Sequence, residues 1–142
     1  IVTEISNYEV GVVVVLEKLQ TLLQNSQSKY YHFPVACILE CKDGTSFSGV
    51  NVETSSPGAG ICAERNALFQ AISYGKRKED FYKLHLYAES KETIFPCFIC
   101  RQALIDYCNK DLEILIYHVD GNVEHYFLDE LCPHSFSEES LG

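Results

Sequence analysis

The stretch that decides the fold runs from Gly49-Val50-Asn51-Val52-Glu53, through Ser55-Ser56-Pro57-Gly58-Ala59-Gly60, to Cys62-Ala63-Glu64-Arg65. It passes from a strand pattern, through a loop dense in glycine and proline, into a helix pattern. Upstream, Pro34 to Cys41 is apolar and partly β-branched, Lys42-Asp43-Gly44 is a turn signal, and Ser46 to Val52 reads as the returning strand. Residues 34–52 therefore predict a β-hairpin. Downstream, Ala67, Leu68, Ala71 and Ile72 share one helix face, and Gly75 with Lys76-Arg77-Lys78 marks its end.

Further out, Ile5, Tyr8, Val12, Val15, Leu16, Leu19, Leu22 and Leu23 form an i, i+3, i+4, i+7 stripe. It predicts an amphipathic first helix, although Gly11 and the β-branched run Val12 to Val15 lower its local propensity. Leu84 to Glu89 predicts a strand, Pro96 to Asn109 a helix, and Glu113 to Val119 a strand. Asp120-Gly121-Asn122 is a tight turn, Val123 to Leu128 pairs back, and Asp129-Glu130-Leu131 starts a short helix. The order α-β-β-α-β-α-β-β predicts an α/β fold, a mixed five-stranded sheet flanked by helices. No internal repeat or linker divides the chain, so residues 1–142 are expected to form a single domain.

Composition excludes several classes. Of 142 residues, 46% are apolar and 22% charged, which is globular rather than disordered. A net charge of −9 repels phosphate backbones and anionic bilayers, so neither a nucleic acid nor a membrane is an expected partner. Val10 to Leu16 is too short an apolar run to span a bilayer and lacks the flanks of a secretory leader. The chain opens at Ile1 without methionine, as a processed or trimmed N-terminus would. Seven cysteines is an odd number, and a disulfide framework prefers an even one. A reducing, cytoplasmic location is the expectation.

Two cysteine motifs carry the chemistry, and both stand at helix starts. One is Cys62-Ala63-Glu64-Arg65 and the other is Pro96-Cys97-Phe98-Ile99-Cys100. Free N–H groups at helix N-termini lower thiol pKa values and favour thiolates. A Cys-x-x-Cys in a first turn can aim both sulfurs at one ion, and Cys62 can approach it from the other helix. Cys62, Cys97 and Cys100 are thus expected to hold Zn2+ and to leave its fourth tetrahedral position open, as a catalytic site requires. Glu64, two residues past a ligand, could reach a water there and act as general acid–base. Arg65 could donate to the sulfurs and reduce their excess negative charge.

Simpler readings exist for each half. A lone Cys-x-x-Cys also suits a structural zinc knuckle or a thioredoxin-like motif. The thioredoxin reading lacks its context, since no tryptophan is present. A structural site would draw a fourth sulfur from Cys108 or Cys132. Asn51 and Glu53, at i and i+2 of a strand, point to one side and could grip sugar hydroxyls, or could simply bound a loop. Cys37, Cys41, Cys108 and Cys132 read as small buried apolar residues. His32, His85, His118, His125 and His134 do not fall in ligand spacing and read as surface or packing residues; the acidic tail 137–140 reads as solvated.

These motifs resemble the cytidine deaminase family, in its small, all-cysteine, free-nucleoside form. The resemblance spans nearly the whole chain. It runs through Tyr31-His32-Phe33-Pro34-Val35, Gly49 to Glu53, Cys62 to Arg65, Pro96 to Gln102, and Leu131-Cys132-Pro133 with Phe136. It implies a cytidine deaminase-like α/β/α fold and hydrolytic deamination of cytidine and deoxycytidine in pyrimidine salvage. Cys62, Cys97 and Cys100 would be zinc ligands and Glu64 the proton shuttle. Asn51 and Glu53 would hold the ribose, Phe33 would line the base pocket, and the Ala63 N–H would meet the base carbonyl. Phe136 would reach into a neighbouring subunit of a homotetramer with shared active sites. A deaminase of another cytosine nucleoside or antibiotic, a nucleic-acid-editing module and a structural zinc domain are the alternatives. Two departures bear on pocket shape: Phe98 stands where the family has Gly or Ala, and the loop 55–60 is richer in Gly and Pro.

Overall fold

A computed structural model describes residues 7–142, with side chains from Val10 onward. Ile5 and the side chain of Tyr8, both in the expected first-helix stripe, lie outside the described residues. Helix α1 (Asn7–Leu23) is followed by β1 (Val35–Cys41), β2 (Ser46–Val50) and α2 (Ala63–Ser73). Then come β3 (Phe81–Ala88), α3 (Phe98–Tyr107), β4 (Glu113–Tyr117), β5 (Val123–Phe127) and α4 (Leu128–Leu131). The sheet order is β2-β1-β3-β4-β5. β3 and β4 are parallel, with α3 as their crossover; the other neighbours are antiparallel.

The sheet is apolar on both faces because helices cover both. On one face Cys37 and Leu39 of β1, Leu84 and Leu86 of β3, and Ile114 and Ile116 of β4 meet Ala67, Leu68 and Ala71 of α2 and Leu104 of α3. The alternate residues Ala36, Tyr87, Leu115 and Tyr117 pack under Leu19 and Leu23 of α1. Burial of this stripe holds α1 despite its four consecutive valines. The three layers are thus α1, the sheet, and the α2–α3 pair, as the resemblance implied.

Boundaries shift where tertiary pairing outweighs local pattern. β3 starts at Phe81, three residues before the expected Leu84, because Phe81 and Lys83 pair with Cys41 and Glu40 of β1. β2 ends at Val50, and Val52 forms an isolated bridge to Ile61 instead. α3 starts at Phe98, since Cys97 is extended and sits at its N-cap. Short 3-10 turns stand at Pro57–Ala59, in the segment expected to be a loop, and at Lys78–Asp80 and Glu138–Leu141.

Gly49 admits α2 to the sheet. A Cβ there would overlap the Ala63 carbonyl oxygen and stand 2.7 Å from the Ala67 nitrogen. Only glycine lets the first turn of α2 lie that close to β2. Cys37, Cys41, Cys108 and Cys132 are all buried, and burial pushes the Cys108 thiol up to about 12. They fill core space as inert thiols. His85 is also buried; its ring contacts the Tyr117 hydroxyl at 2.7 Å and Glu40 at 3.1 Å. Among the described residues, no helix is long and apolar enough to cross a membrane.

Candidate active site

Cys62 and Cys97 occupy the N-cap positions of α2 and α3, and neither side chain caps its helix. Both sulfurs thus stand at helix N-termini, where the macrodipoles present their positive ends. Among the described residues, the donor atoms of Cys62, Cys97 and Cys100 all lie within 4.8 Å of one another. Cys108 and Cys132 do not join them, so the four-cysteine arrangement has no fourth sulfur.

The donor set fits zinc. Sulfurs about 2.3 Å from a tetrahedral ion stand about 3.8 Å apart, and Cys62 Sγ lies 3.7 Å from Cys97 Sγ. Soft thiolates favour zinc over hard divalent ions. The Cys62 thiol is pulled down to about 5, first by its hydrogen bond with Cys100 and then by Arg65 and Cys97, against its partial burial. Cys100 is pushed the opposite way, first by the neighbouring Cys62 sulfur, then by burial and the Glu64 charge. Arg65 donates from Nη2 to Cys62 Sγ at 3.4 Å, and its Nε is buried with no hydrogen-bond partner among the described residues.

Glu64 is only 5% exposed, and its Oε2 accepts from Cys100 Sγ at 3.4 Å. Burial raises its carboxyl above the usual range, with the Cys62 charge adding to the effect. It sits in the first turn of α2, beside the sulfurs.

A cavity of about 560 Å³ opens next to Cys62 and Arg65 and extends to Tyr30, Tyr31, Asn51 and Glu53. Its size suits a small ligand. The Asn51 amide oxygen accepts from the Ser26 hydroxyl and from the Val35 N–H at 2.8 Å, and its nitrogen donates to the Phe33 carbonyl at 2.9 Å. The Tyr30 and Tyr31 N–H groups each reach Glu53 Oε1 at 3.0 Å, and the Ser28 hydroxyl donates to Oε2 at 2.7 Å. These donors, Ser28 first, hold the Glu53 carboxyl below its ordinary range. One amide hydrogen on Asn51 and one lone pair on Glu53 Oε2 remain for a ligand. Together they match a hydroxyl, which accepts from the first and donates to the second.

Cys62 is tied to that ligand pair through the backbone. Val52 and Ile61 exchange two 3.0 Å hydrogen bonds, which hold the start of α2 beside the Asn51–Glu53 strand end. Gly60 permits this approach, since a Cβ there would stand 2.6 Å from the Val52 carbonyl oxygen. Ala63, the first residue of α2, is fully buried. Phe33 and Phe136 are both exposed and do not line this cavity. Phe98 does not line it either. Its ring lies over Arg101, 4.4 Å from the guanidinium carbon, while Arg101 donates to the carbonyls of Pro96 at 2.7 Å and Leu131 at 2.9 Å. The bulky residue thus braces the first turn of α3.

Ser26, Ser28 and the backbone of Tyr30 and Tyr31 have no counterpart among the sequence-predicted site residues. Their only signal was a cluster of small polar residues after α1. Three converging sulfurs at two helix N-termini, a buried carboxyl and an adjoining polar cavity, on a three-layer α/β/α scaffold, define a thiolate metal site built for hydrolytic chemistry.

The pattern of the family described as the cytidine and deoxycytidylate deaminase zinc-binding region matches residues 11–116. A cytidine deaminase from Sporosarcina psychrophila is 36% identical over 113 residues, covering 80% of this chain and 82% of that one. A probable cytidine deaminase from Dictyostelium discoideum is 36% identical over 131 residues, covering 89% and 86%. The crystal structure of a cytidine deaminase from Burkholderia pseudomallei superposes with a TM-score of 0.82 at 30% identity, covering 93% of this chain and all of that one. The chain belongs to the cytidine and deoxycytidylate deaminase family.

Proposed function

We propose that this chain is a zinc-dependent deaminase that converts cytidine and deoxycytidine, with water, to uridine and deoxyuridine plus ammonia. The observation that carries this reading is the buried Glu64 carboxyl beside three sulfurs that fit one zinc ion. Cys62, Cys97 and Cys100 would hold zinc, which would supply a Lewis acid that makes water nucleophilic near neutral pH. Glu64 takes a proton from the attacking water, whose oxygen bonds to C4, and delivers that proton to N3 of the base. It then moves the second proton to the exocyclic amino group, which leaves as ammonia. The burial that raises its pKa suits a group that must hold a proton as well as release one.

Asn51 and Glu53 take a sugar hydroxyl with the donor and acceptor left over from their structural bonds. By the family resemblance the Ala63 N–H meets the base carbonyl and Phe33 walls the base, although Phe33 does not line the cavity of the single chain. Arg65 offsets the negative charge of the sulfurs. Phe136, exposed in the single chain, serves the site of a neighbour in a homotetramer. Residues 1–142 act as one domain. The role is pyrimidine salvage in the cytoplasm, on free nucleosides; the charge of −9 weighs against nucleic-acid substrates.

The test is loss of cytidine absorbance in the ultraviolet, with and without a strong chelator. Turnover that the chelator abolishes and added zinc restores is the expected result. No turnover of cytidine or deoxycytidine by zinc-loaded protein, with turnover of a cytosine-nucleoside antibiotic instead, would redirect the substrate assignment.

A further inference from the structure

The two sides of the Glu53 carboxylate are held differently. Oε1 accepts two backbone N–H groups, from Tyr30 and Tyr31 at 3.0 Å each. These need only that the turn keep its shape. Oε2, which keeps the lone pair facing a ligand, is held by one side chain, the Ser28 hydroxyl at 2.7 Å. The same hydroxyl accepts the Phe33 N–H at 2.7 Å. Its single proton is committed to Glu53, because the carboxylate can only accept, and one of its two lone pairs takes the Phe33 N–H.

Ser28 is half-buried and does not line the cavity, so it does not meet a ligand itself. One oxygen atom thus joins the carboxylate that faces the cavity to the backbone that carries Phe33. The surrounding backbone fixes this geometry, since Gln27 donates to the Asn51 carbonyl at 3.1 Å and accepts from Glu53 N–H at 2.8 Å. Ser28 then stands across from Glu53 by strand-like pairing and cannot drift without breaking these bonds.

We propose that Ser28 is a positioning residue for sugar recognition: it aims Glu53 Oε2 at the sugar hydroxyl and couples that aim to the position of Phe33. This rests on the reading of the chain as a nucleoside deaminase in which Glu53 accepts from the sugar. Without the Ser28 proton, Oε2 loses its charge-assisted bond and the carboxylate can rotate about the two Oε1 bonds. A nucleoside that carries the hydroxyl is then recognised less well. One that lacks it is affected little.

The experiment measures kcat and KM of zinc-loaded protein for cytidine and for 2′,3′-dideoxycytidine, in wild type, Ser28→Ala and Ser28→Thr. Wild type should prefer cytidine. In Ser28→Ala that preference, as the ratio of the two kcat/KM values, should fall by about tenfold or more, mainly through KM for cytidine. Ser28→Thr, which keeps the hydroxyl, should restore it. If Ser28→Ala does not fold, Ser28→Cys, similar in size and a weak donor, carries the same expectation. A purely structural role would lower both substrates together. An unchanged ratio in Ser28→Ala, with wild type discriminating, overturns the assignment of Ser28. A wild type that does not discriminate overturns the sugar role of Glu53 and the inference built on it.

Discussion

Replacing Gly49 by alanine should displace the end of α2 that carries Cys62 and Glu64. Non-bonded carbon contacts settle at about 3.5 Å. The new Cβ would meet the Ala67 nitrogen at 2.7 Å, Asn66 Cβ at 3.0 Å and the Ala63 carbonyl oxygen closer still. Two of these three are backbone atoms of α2, so no side-chain rotation relieves the overlap. The helix must retreat by roughly 1 Å, which unseats Ala67 and Leu68 from Cys37 and Leu39. Overpacking of this kind costs about 1–3 kcal/mol. For a chain of this size that corresponds to a fall in Tm of roughly 3–10 °C. A misplacement of about 1 Å at a reacting group can also cost about 100-fold in turnover.

The assay pairs thermal unfolding with zinc content and kcat. Gly44→Ala is the control. Gly44 has φ +89°, and open space surrounds its Cβ position, so the substitution strains the β1–β2 turn far from the sulfurs. It should cost about 1–2 kcal/mol and leave kcat unchanged. A Gly49→Ala protein with wild-type zinc content and wild-type kcat would refute the argument that this glycine sets the position of α2.

Further outcomes follow from the same geometry. Glu64→Gln should keep its zinc, by metal analysis, and lose about 10²–10⁴ in kcat; near-normal turnover would remove Glu64 from its assigned role. Cys97→Ala should lose both zinc and thermal stability, since thiolate ligation contributes folding free energy. Burial lowers the His85 pKa below its unfolded value of about 6.5, against the pull of Glu40. The unfolded chain then binds the proton first, so this contribution is intact above about pH 6.5 and is lost as pH falls through the lower folded value. Denaturation midpoints of wild type should therefore drop more than those of His85→Gln between about pH 7 and pH 5; parallel midpoints would contradict the assignment.

The sequence made the layers legible because both periodicities were strong. The α1 stripe, the Asp43-Gly44 and Asp120-Gly121 turns, and the alanine face of α2 each announce their element locally. Gly44 and Gly121 do adopt positive φ in those turns. The cysteine trio was equally legible, since a helix start is visible in sequence and two such starts carried the sulfurs. Long-range pairing was not. The first three residues of β3 follow a basic run and look like a loop until Cys41 and Glu40 are set beside them. Ser26 and Ser28 act on residues 25 positions away, and no local pattern ties a serine to a distant carboxylate. Phe98 was visible as an oddity, but its partner Arg101 emerged only once α3 wound them onto one side.

Cys62 and Cys97 lie 35 positions apart in the chain. An ion shared between them and Cys100 is therefore also a cross-link, closing a ring of backbone that contains α2 and all of β3. By analogy with a covalent bridge of that span, such a closure restrains the unfolded chain by about 3–4 kcal/mol. The central strand of the sheet is a segment of this ring, so stripping the metal slackens the scaffold as well as disarming the site. Apo protein held at working temperature is then a poorer substrate for reloading than the freshly chelated one, and the order in which metal and heat are applied decides how much activity returns.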